Sequence, residues 1–258
     1  MLLIANLGIY FLDLLLGNPL RNFGAFAIQS AVFDFRIWEF VTFQFLHASL
    51  GHVFFNCMGI FFFGPWLERW WGPKKFLIYY LLCGVAGAAF FTFLVFTGLL
   101  PDDDFLSPLV GASAGIYGIL IGVAVVAPNL RVALLFPPIE LSMRQLAIAL
   151  MAISVGSILF KYGHNEGGEA GHLGGAILGF ILMRFPQLLG HGDGSTIARR
   201  PAASPRPLPK LQPRTELEAK QDSAVDKILD KISREGFQSL TQEERDFLQQ
   251  TSNSIKPS

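Results

Sequence analysis

The sequence predicts an all-α membrane protein, with six transmembrane helices in one bundle and a cytoplasmic tail that holds a short two-helix hairpin. Three observations predict it. Hydrophobic residues make up 52% of the chain and charged residues 16%, with a mean hydropathy of +0.44, more apolar than an ordinary soluble domain. The charges are sparse from residue 1 to 186 and crowd the stretch from Arg199 to Lys256. The apolar part also divides into stretches close to the roughly 20 residues that cross a bilayer as a helix.

Those stretches fall near 2–17, 53–67, 76–100, 109–127, 145–160 and 170–185. The first starts almost at Met1 and lacks a basic leader and an Ala-x-Ala cleavage site, so it reads as a retained span. Asp13 lies within one turn of its outer end, where it reaches water. Several spans are short, which favours a compact bundle in a thinned bilayer. Arg69, Lys74 and Lys75 join the second and third spans, Arg131 and Arg144 join the fourth and fifth, and Arg184 ends the sixth. The other side carries only Arg21, Arg36 and Lys161. The positive-inside rule therefore puts both termini in the cytoplasm. The first loop, the Asp102-Asp103-Asp104 loop and the Gly-rich loop from Tyr162 to Gly168 then face outward. Glu68, beside Arg69, marks an inner boundary.

The membrane domain is expected to cover 1–186, a flexible Pro/Arg-rich linker 187–221, a small helical hairpin 222–253 and a disordered end 254–258. Arg199, Arg200 and Arg206 of the linker suit modest attraction to anionic headgroups. In the hairpin, Val225, Ile228, Leu229 and Ile232 repeat at helical spacing, Gly236 offers a stop, and Thr241 to Glu244 reads as a capping box. A hairpin this small does not bury a core of its own. Its apolar face is expected to meet a partner, another copy or the membrane body.

Two apolar spans carry side chains that are costly at membrane depth, and such groups point to function. Ser113 sits in Gly111-Ala112-Ser113-Ala114-Gly115 and His172 in Gly171-His172-Leu173-Gly174-Gly175, both near the outer ends of their helices and so at one depth. Serine is a weak nucleophile until a base takes its proton, and histidine suits that task near neutral pH. No carboxylate is expected at matching depth, because Glu166 and Glu169 read as outer-loop residues. The prediction is a Ser113/His172 dyad and not a triad. Tyr117, four residues after Ser113, shares its helix face and can stack on His172. Gly175 and Gly179 strip the histidine's face of side chains, which lets the helices approach. Gly111, Gly115, Gly118 and Gly122 form a separate small-residue stripe that suits packing. His52 and Asn56, at i and i+4, offer donors for a developing oxyanion; taken singly, each also fits a plain capping or interhelical bond.

Other chemistries lack their residues. Cys57 and Cys83 fall inside spans without metal-ligand spacing and read as buried reduced thiols. No His-Glu-x-x-His pattern or intramembrane acidic cluster is present, which argues against a zinc or di-aspartyl protease. No metal, cofactor or nucleic acid is expected, and His164 and His191 read as solvated loop residues. A strand-turn-helix nucleophile elbow does not fit these surroundings.

Over residues 1 to about 186 the chain resembles the rhomboid intramembrane serine proteases. The resemblance rests on His47, the His52-x-x-x-Asn56 spacing, Glu68-Arg69, Gly111-x-Ser113 with Tyr117, and His172-x-x-Gly175-x-x-x-Gly179. It implies a rhomboid-like six-helix bundle whose active site opens outward through a water-filled cavity. It also implies Ser113 as nucleophile, His172 as base, and an oxyanion hole made of His52, Asn56 and the Ser113 backbone amide. The implied substrates are single-span membrane proteins cut within or beside the transmembrane segment; separately, the multi-pass topology and the absence of an organelle transit peptide suggest a bacterial inner membrane. Ala114 stands where many rhomboids have glycine. The frequent Trp-Arg pair of the first loop is not matched, Arg36-Ile37-Trp38 being the nearest sequence. A catalytically silent rhomboid-like protein that binds membrane clients is the competing class, although such proteins usually lack the serine or the histidine. A small-molecule transporter would show an internal repeat or midplane ionisable residues, and neither is seen.

Overall fold

The computed structural model describes residues 1–100, 105–134, 138–162, 165–189 and 216–254. The Asp102-Asp103-Asp104 triplet, His164, His191 and the linker arginines Arg199, Arg200 and Arg206 lie outside them. The described chain is mostly helical and divides into two units, Met1–Gly192 and Asp193–Ser258.

Helix α1 (Leu2–Leu16) stops at Gly17, whose φ of 84° is left-handed and suits a residue without a Cβ. Asp13 follows a different course from the one expected. It is 4% exposed, and its Oδ1 accepts the backbone N–H groups of Leu20 at 2.8 Å and Arg21 at 3.3 Å. Its partners are therefore the free amides at the start of α2 (Pro19–Gly24), not water.

The first loop is structured. After α2 come a π-turn at Gln29–Phe33, α3 (Glu39–Thr42) and a 3-10 turn at Phe43–Phe45. Buried Glu39 ties the loop together by accepting from Ser30 Oγ at 2.5 Å and from the Ala27 amide at 3.4 Å. Arg36 pairs with Glu39 at 3.9 Å, and the Trp38 ring stacks on Phe23.

Helix α4 (Leu50–Phe96) runs for 47 residues and holds the expected stretch 53–67 and most of the stretch 76–100 as two legs, the second ending at Phe96. Gly72, with φ 75° and ψ 166°, breaks it just before Pro73, which has no amide to continue the ladder. Gln44 fastens the first loop to the second leg: its Nε2 donates to the Leu81 carbonyl at 3.2 Å, and the Tyr80 hydroxyl donates to the Gln44 carbonyl at 3.2 Å. Gly84 makes room for this, since any Cβ there would overlap the Gln44 amide.

Helix α5 (Ser113–Val126) starts four residues later than the apolar stretch 109–127 suggests. Between α5 and α6 a small antiparallel pair, β1 (Arg131–Ala133) and β2 (Glu140–Ser142), stands where only a loop was expected. A capping box of Ser142 and Gln145 starts α6 (Met143–Phe160). Helix α7 (Glu166–Arg184) begins before the expected 170, so Glu166 and Glu169 are helical and not part of the outer loop. Acidic residues in a first helical turn meet the positive end of the helix dipole, which favours this start. By length and composition α4 and α6 are long and apolar enough to cross a membrane, while α1 and α5 are shorter apolar helices.

Helices α4, α5 and α7 pack on one another, with α6 beside α5 and α7 and with α1 on α4. Small residues set the spacing. A methyl on Gly179 would stand 2.7 Å from Gly118 Cα, and one on Gly87 would stand 2.7 Å from both Ala114 Cβ and the Gly171 carbonyl. The Tyr79 hydroxyl crosses from α4 to α5 and donates to the Gly118 carbonyl at 2.6 Å. Gly115, Gly118 and Gly122 face Tyr80, Cys83 and Leu67 of α4. Gly111 precedes the helix and does not belong to that stripe. Cys57 and Cys83 are free and buried.

In the second unit α8 (Glu216–Glu235) starts inside the stretch expected as linker, where Glu216-Leu217-Glu218-Ala219-Lys220 are all good helix formers. Gly236, at φ 82°, follows its end, and α9 (Gln242–Ser254) comes after a short 3-10 turn. Lys231 Nζ donates to Glu244 at 2.9 and 3.0 Å. Thr241 and Glu244 cap α9 reciprocally, the Glu244 amide donating to Thr241 Oγ1 at 3.3 Å and the Thr241 amide to Glu244 Oε2 at 2.8 Å. Ile228 and Leu240 are buried, whereas Leu229 of the apolar stripe is half exposed.

Candidate active site

A cavity of about 750 Å³ lies among α4, α5, α7 and the loop before α5, and Ser113, His172, His52, Asn56, Tyr117 and Gly111 all line it. Each comes from a position that local structure fixes. Ser113 is the first residue of α5. The first N–H groups of a helix have no acceptor within it, so the Ser113 amide is free to face a ligand. His52 stands in the first turn of α4, where its amide donates to the N-cap Ser49 Oγ at 3.1 Å. Asn56 follows one turn later, 6% exposed. Its Nδ2 is buried and has no hydrogen-bond partner among the described residues.

Gly111 lets these groups converge. Its φ of 122° is left-handed, and a Cβ there would lie 2.6 Å from His52 Nε2 and 3.3 Å from Asn56 Nδ2. Its amide donates to the Phe43 carbonyl at 2.9 Å, and Leu109 forms an isolated antiparallel bridge with Phe26. The loop that delivers Ser113 is thereby pinned to the first loop. His47 packs edge-on against His52, with ring centroids 5.0 Å apart. Burial and then the neighbouring His52 push its imidazole down to about 4, so it is neutral at pH 7.

On the other side of the cavity, the Tyr117 and His172 rings stack at 4.1 Å with planes 10° apart. Gly175 and Gly179 lie on the same helix as His172 against α5; a Cβ on Gly175 would overlap the Ala114 carbonyl oxygen. The sequence reasoning missed what holds the imidazole edge. Glu169 Oε2 accepts from His172 Nδ1 at 3.0 Å, and Ser154 Oγ on α6 donates to that same oxygen at 2.5 Å. A carboxylate therefore does reach the histidine, against the expectation that none lies at its depth. The signal was present in the spacing, because residues three apart share a helix face once α7 is known to begin at Glu166.

The arrangement brings a hydroxyl, an imidazole with one nitrogen occupied by a carboxylate, and amide donors to one concavity. That set suits acyl transfer. A profile of the Rhomboid domain matches residues 34–185, more than half of the chain.

The chain belongs to the rhomboid family. It is 28% identical to Rhomboid protease AarA of Providencia stuartii over 203 residues, 70% of this rhomboid chain and 69% of AarA. To Rhomboid protease GluP of Bacillus subtilis it is 28% identical over 145 residues, 56% of this chain and 25% of GluP. Inactive RHOMBOID-like protein 8 of Arabidopsis thaliana is 29% identical over 73 residues, 28% of this chain and 21% of that protein. The chain thus spans about two thirds of AarA's length and a quarter or less of the other two. A second profile, a family of unknown function (DUF6576), matches residues 216–254, the region of α8 and α9.

Proposed function

We propose that this rhomboid is an intramembrane serine endopeptidase that cuts single-span membrane proteins within or beside their transmembrane segment. The observation that carries it is the shared cavity of Ser113, His172, His52 and Asn56. Ser113 Oγ attacks the scissile carbonyl carbon while its proton passes to His172 Nε2. The C–O bond forms, and the carbonyl π pair moves onto oxygen. Asn56 Nδ2, His52 and the Ser113 amide donate to that oxygen. As the tetrahedral adduct collapses, His172 returns the proton to the leaving nitrogen and the C–N bond breaks. Water then repeats the sequence on the acyl-enzyme.

The membrane setting has independent support. Large apolar side chains stand exposed along α1, α4, α6 and α7, among them Phe11, Phe55, Phe62, Ile153, Phe160 and Phe180. So much outward apolar surface suits lipid and not water. Six spans with both termini cytoplasmic, in a bacterial inner membrane, fit this surface and the distribution of basic residues. Substrate helices must unwind before cleavage, because a helix keeps its carbonyls bonded.

The test uses a membrane-spanning reporter and a fluorophosphonate probe with the purified full chain. Wild type is expected to cleave and to be labelled, and Ser113→Ala to do neither while keeping its thermal transition. Cleavage that persists in Ser113→Ala refutes the mechanism. An intact wild type that neither cleaves nor labels supports the client-binding class instead.

A further inference from the structure

We infer that Glu169, held by Ser154, is a positioning residue that orients His172 and fixes its tautomer; this rests on the hydrolase reading above. A neutral imidazole carries one ring proton, and the nitrogen that donates a hydrogen bond is the one that holds it. Glu169 Oε2 lies 3.0 Å from His172 Nδ1. An ionised carboxylate only accepts, so the proton sits on Nδ1. The lone pair is then left on Nε2, the nitrogen that must take the proton of Ser113. Without that contact the two tautomers compete, and one of them is inert as a base.

The contact is built and not incidental. Glu169 and His172 stand three apart on α7, so the backbone holds them on one face. Their side chains are 17% and 15% exposed, which leaves limited room for water to replace the pair. Ser154 comes from a different helix, is fully buried and donates to the same carboxylate oxygen. It uses one lone pair and leaves the other for Nδ1. Tyr117 of α5 covers the ring face at 4.1 Å. The imidazole is thus clamped on its face from α5 and on its edge from α7, with the edge clamp itself braced from α6. When His172 takes the serine proton, Glu169 remains ionised beside the new cation and does not receive the proton.

In soluble serine proteases the corresponding carboxylate-to-amide change lowers kcat by about 10⁴. Glu169 keeps some contact with solvent, so the loss expected in Glu169→Gln is smaller, about 10- to 100-fold in kcat, with KM unchanged. Labelling of Ser113 by a fluorophosphonate should slow by the same factor. Ser154→Ala keeps the carboxylate and loosens only its brace, and should lower kcat by about 3- to 10-fold. Nitrogen-15 NMR of labelled histidine supplies a readout that simple scaffolding would not move: His172 should be the Nδ1–H form in wild type and a tautomer mixture in Glu169→Gln. Wild-type kcat and an unchanged tautomer in Glu169→Gln overturn the inference while leaving the Ser113 mechanism standing. If Glu169→Gln unfolds, wild-type kcat together with an unshifted histidine spectrum in a folded Ser154→Ala overturns it instead. Failure of wild type to label at Ser113 would overturn the hydrolase reading itself.

Discussion

Replacing Gly175 by alanine adds one methyl group at the seam between α5 and α7, and its consequences can be worked out from the packing. The new carbon would stand 2.7 Å from the Ala114 carbonyl carbon and 3.1 Å from its Cα, and would overlap its oxygen. Carbon atoms rest about 3.5–4.0 Å apart, so the two helices must part by roughly 1 Å. The clash is not relieved by a side chain swinging aside, because the three nearest atoms all belong to the backbone of Ala114, the residue after Ser113. Overpacking of this kind costs about 1–3 kcal/mol, and the better helix propensity of alanine offsets about 1 kcal/mol of it. The net loss is small, a fall of a few degrees in Tm. The effect on turnover is larger, since a displacement of about 1 Å between reacting groups can cost about 10²-fold. Thermal unfolding and reporter cleavage should therefore disagree, with modest destabilisation beside a turnover loss near 10²-fold. Gly8→Ala in α1 is the control, because a Cβ there meets nothing within 4 Å; it should lose neither stability nor activity. Wild-type cleavage by Gly175→Ala would refute the claim that this seam sets the distance between Ser113 and His172.

Two further outcomes are expected. Tyr79→Phe removes the hydroxyl that joins α4 to the Gly118 carbonyl at 2.6 Å and should cost about 1 kcal/mol, seen as a lower Tm; an unchanged Tm would show that the bond does not hold the helices. Asn56→Ala should lower kcat by about 10²–10³ with little change in KM, and an unchanged kcat would remove Asn56 from the oxyanion hole.

What was legible in the sequence was whatever a fixed helical period can express. His52 and Asn56 line the cavity together because i and i+4 share a face, and the same period put Tyr117 where it meets His172. Helix boundaries were less legible, because hydropathy counts apolar residues without saying where the backbone turns. Leu109 and Val110 look like the start of a span, yet Leu109 pairs with Phe26 and Gly111 takes a φ of 122°, so α5 waits until Ser113. The same blindness hid Glu169, whose charge suggested a loop while the first turn of α7 claimed it. Contacts across the fold were not legible at all: nothing local to Gln44 announces that Gly84, forty residues on, leaves space for its amide.

The late start of α5 has a chemical consequence. Its 14 residues span only about 21 Å at a rise of 1.5 Å each, against roughly 30 Å of hydrocarbon. On the intramembrane reading, the first amides of α5 and the loop before it then sit below the bilayer surface. Irregular backbone survives at that depth only where protein or a water-filled cavity covers it. The first loop does part of this, bonding Leu109 and Gly111 through Phe26 and Phe43. The first amides of α5 have no acceptor within their own helix, and Asn56 Nδ2, from a residue that lines the cavity, has no hydrogen-bond partner among the described residues. On that reading the shortness of α5 sets its own free first-turn amides at the depth of the cavity, where the proposed oxyanion would form, and a longer helix reaching the surface would carry those amides away from it while leaving Asn56 of α4 in place.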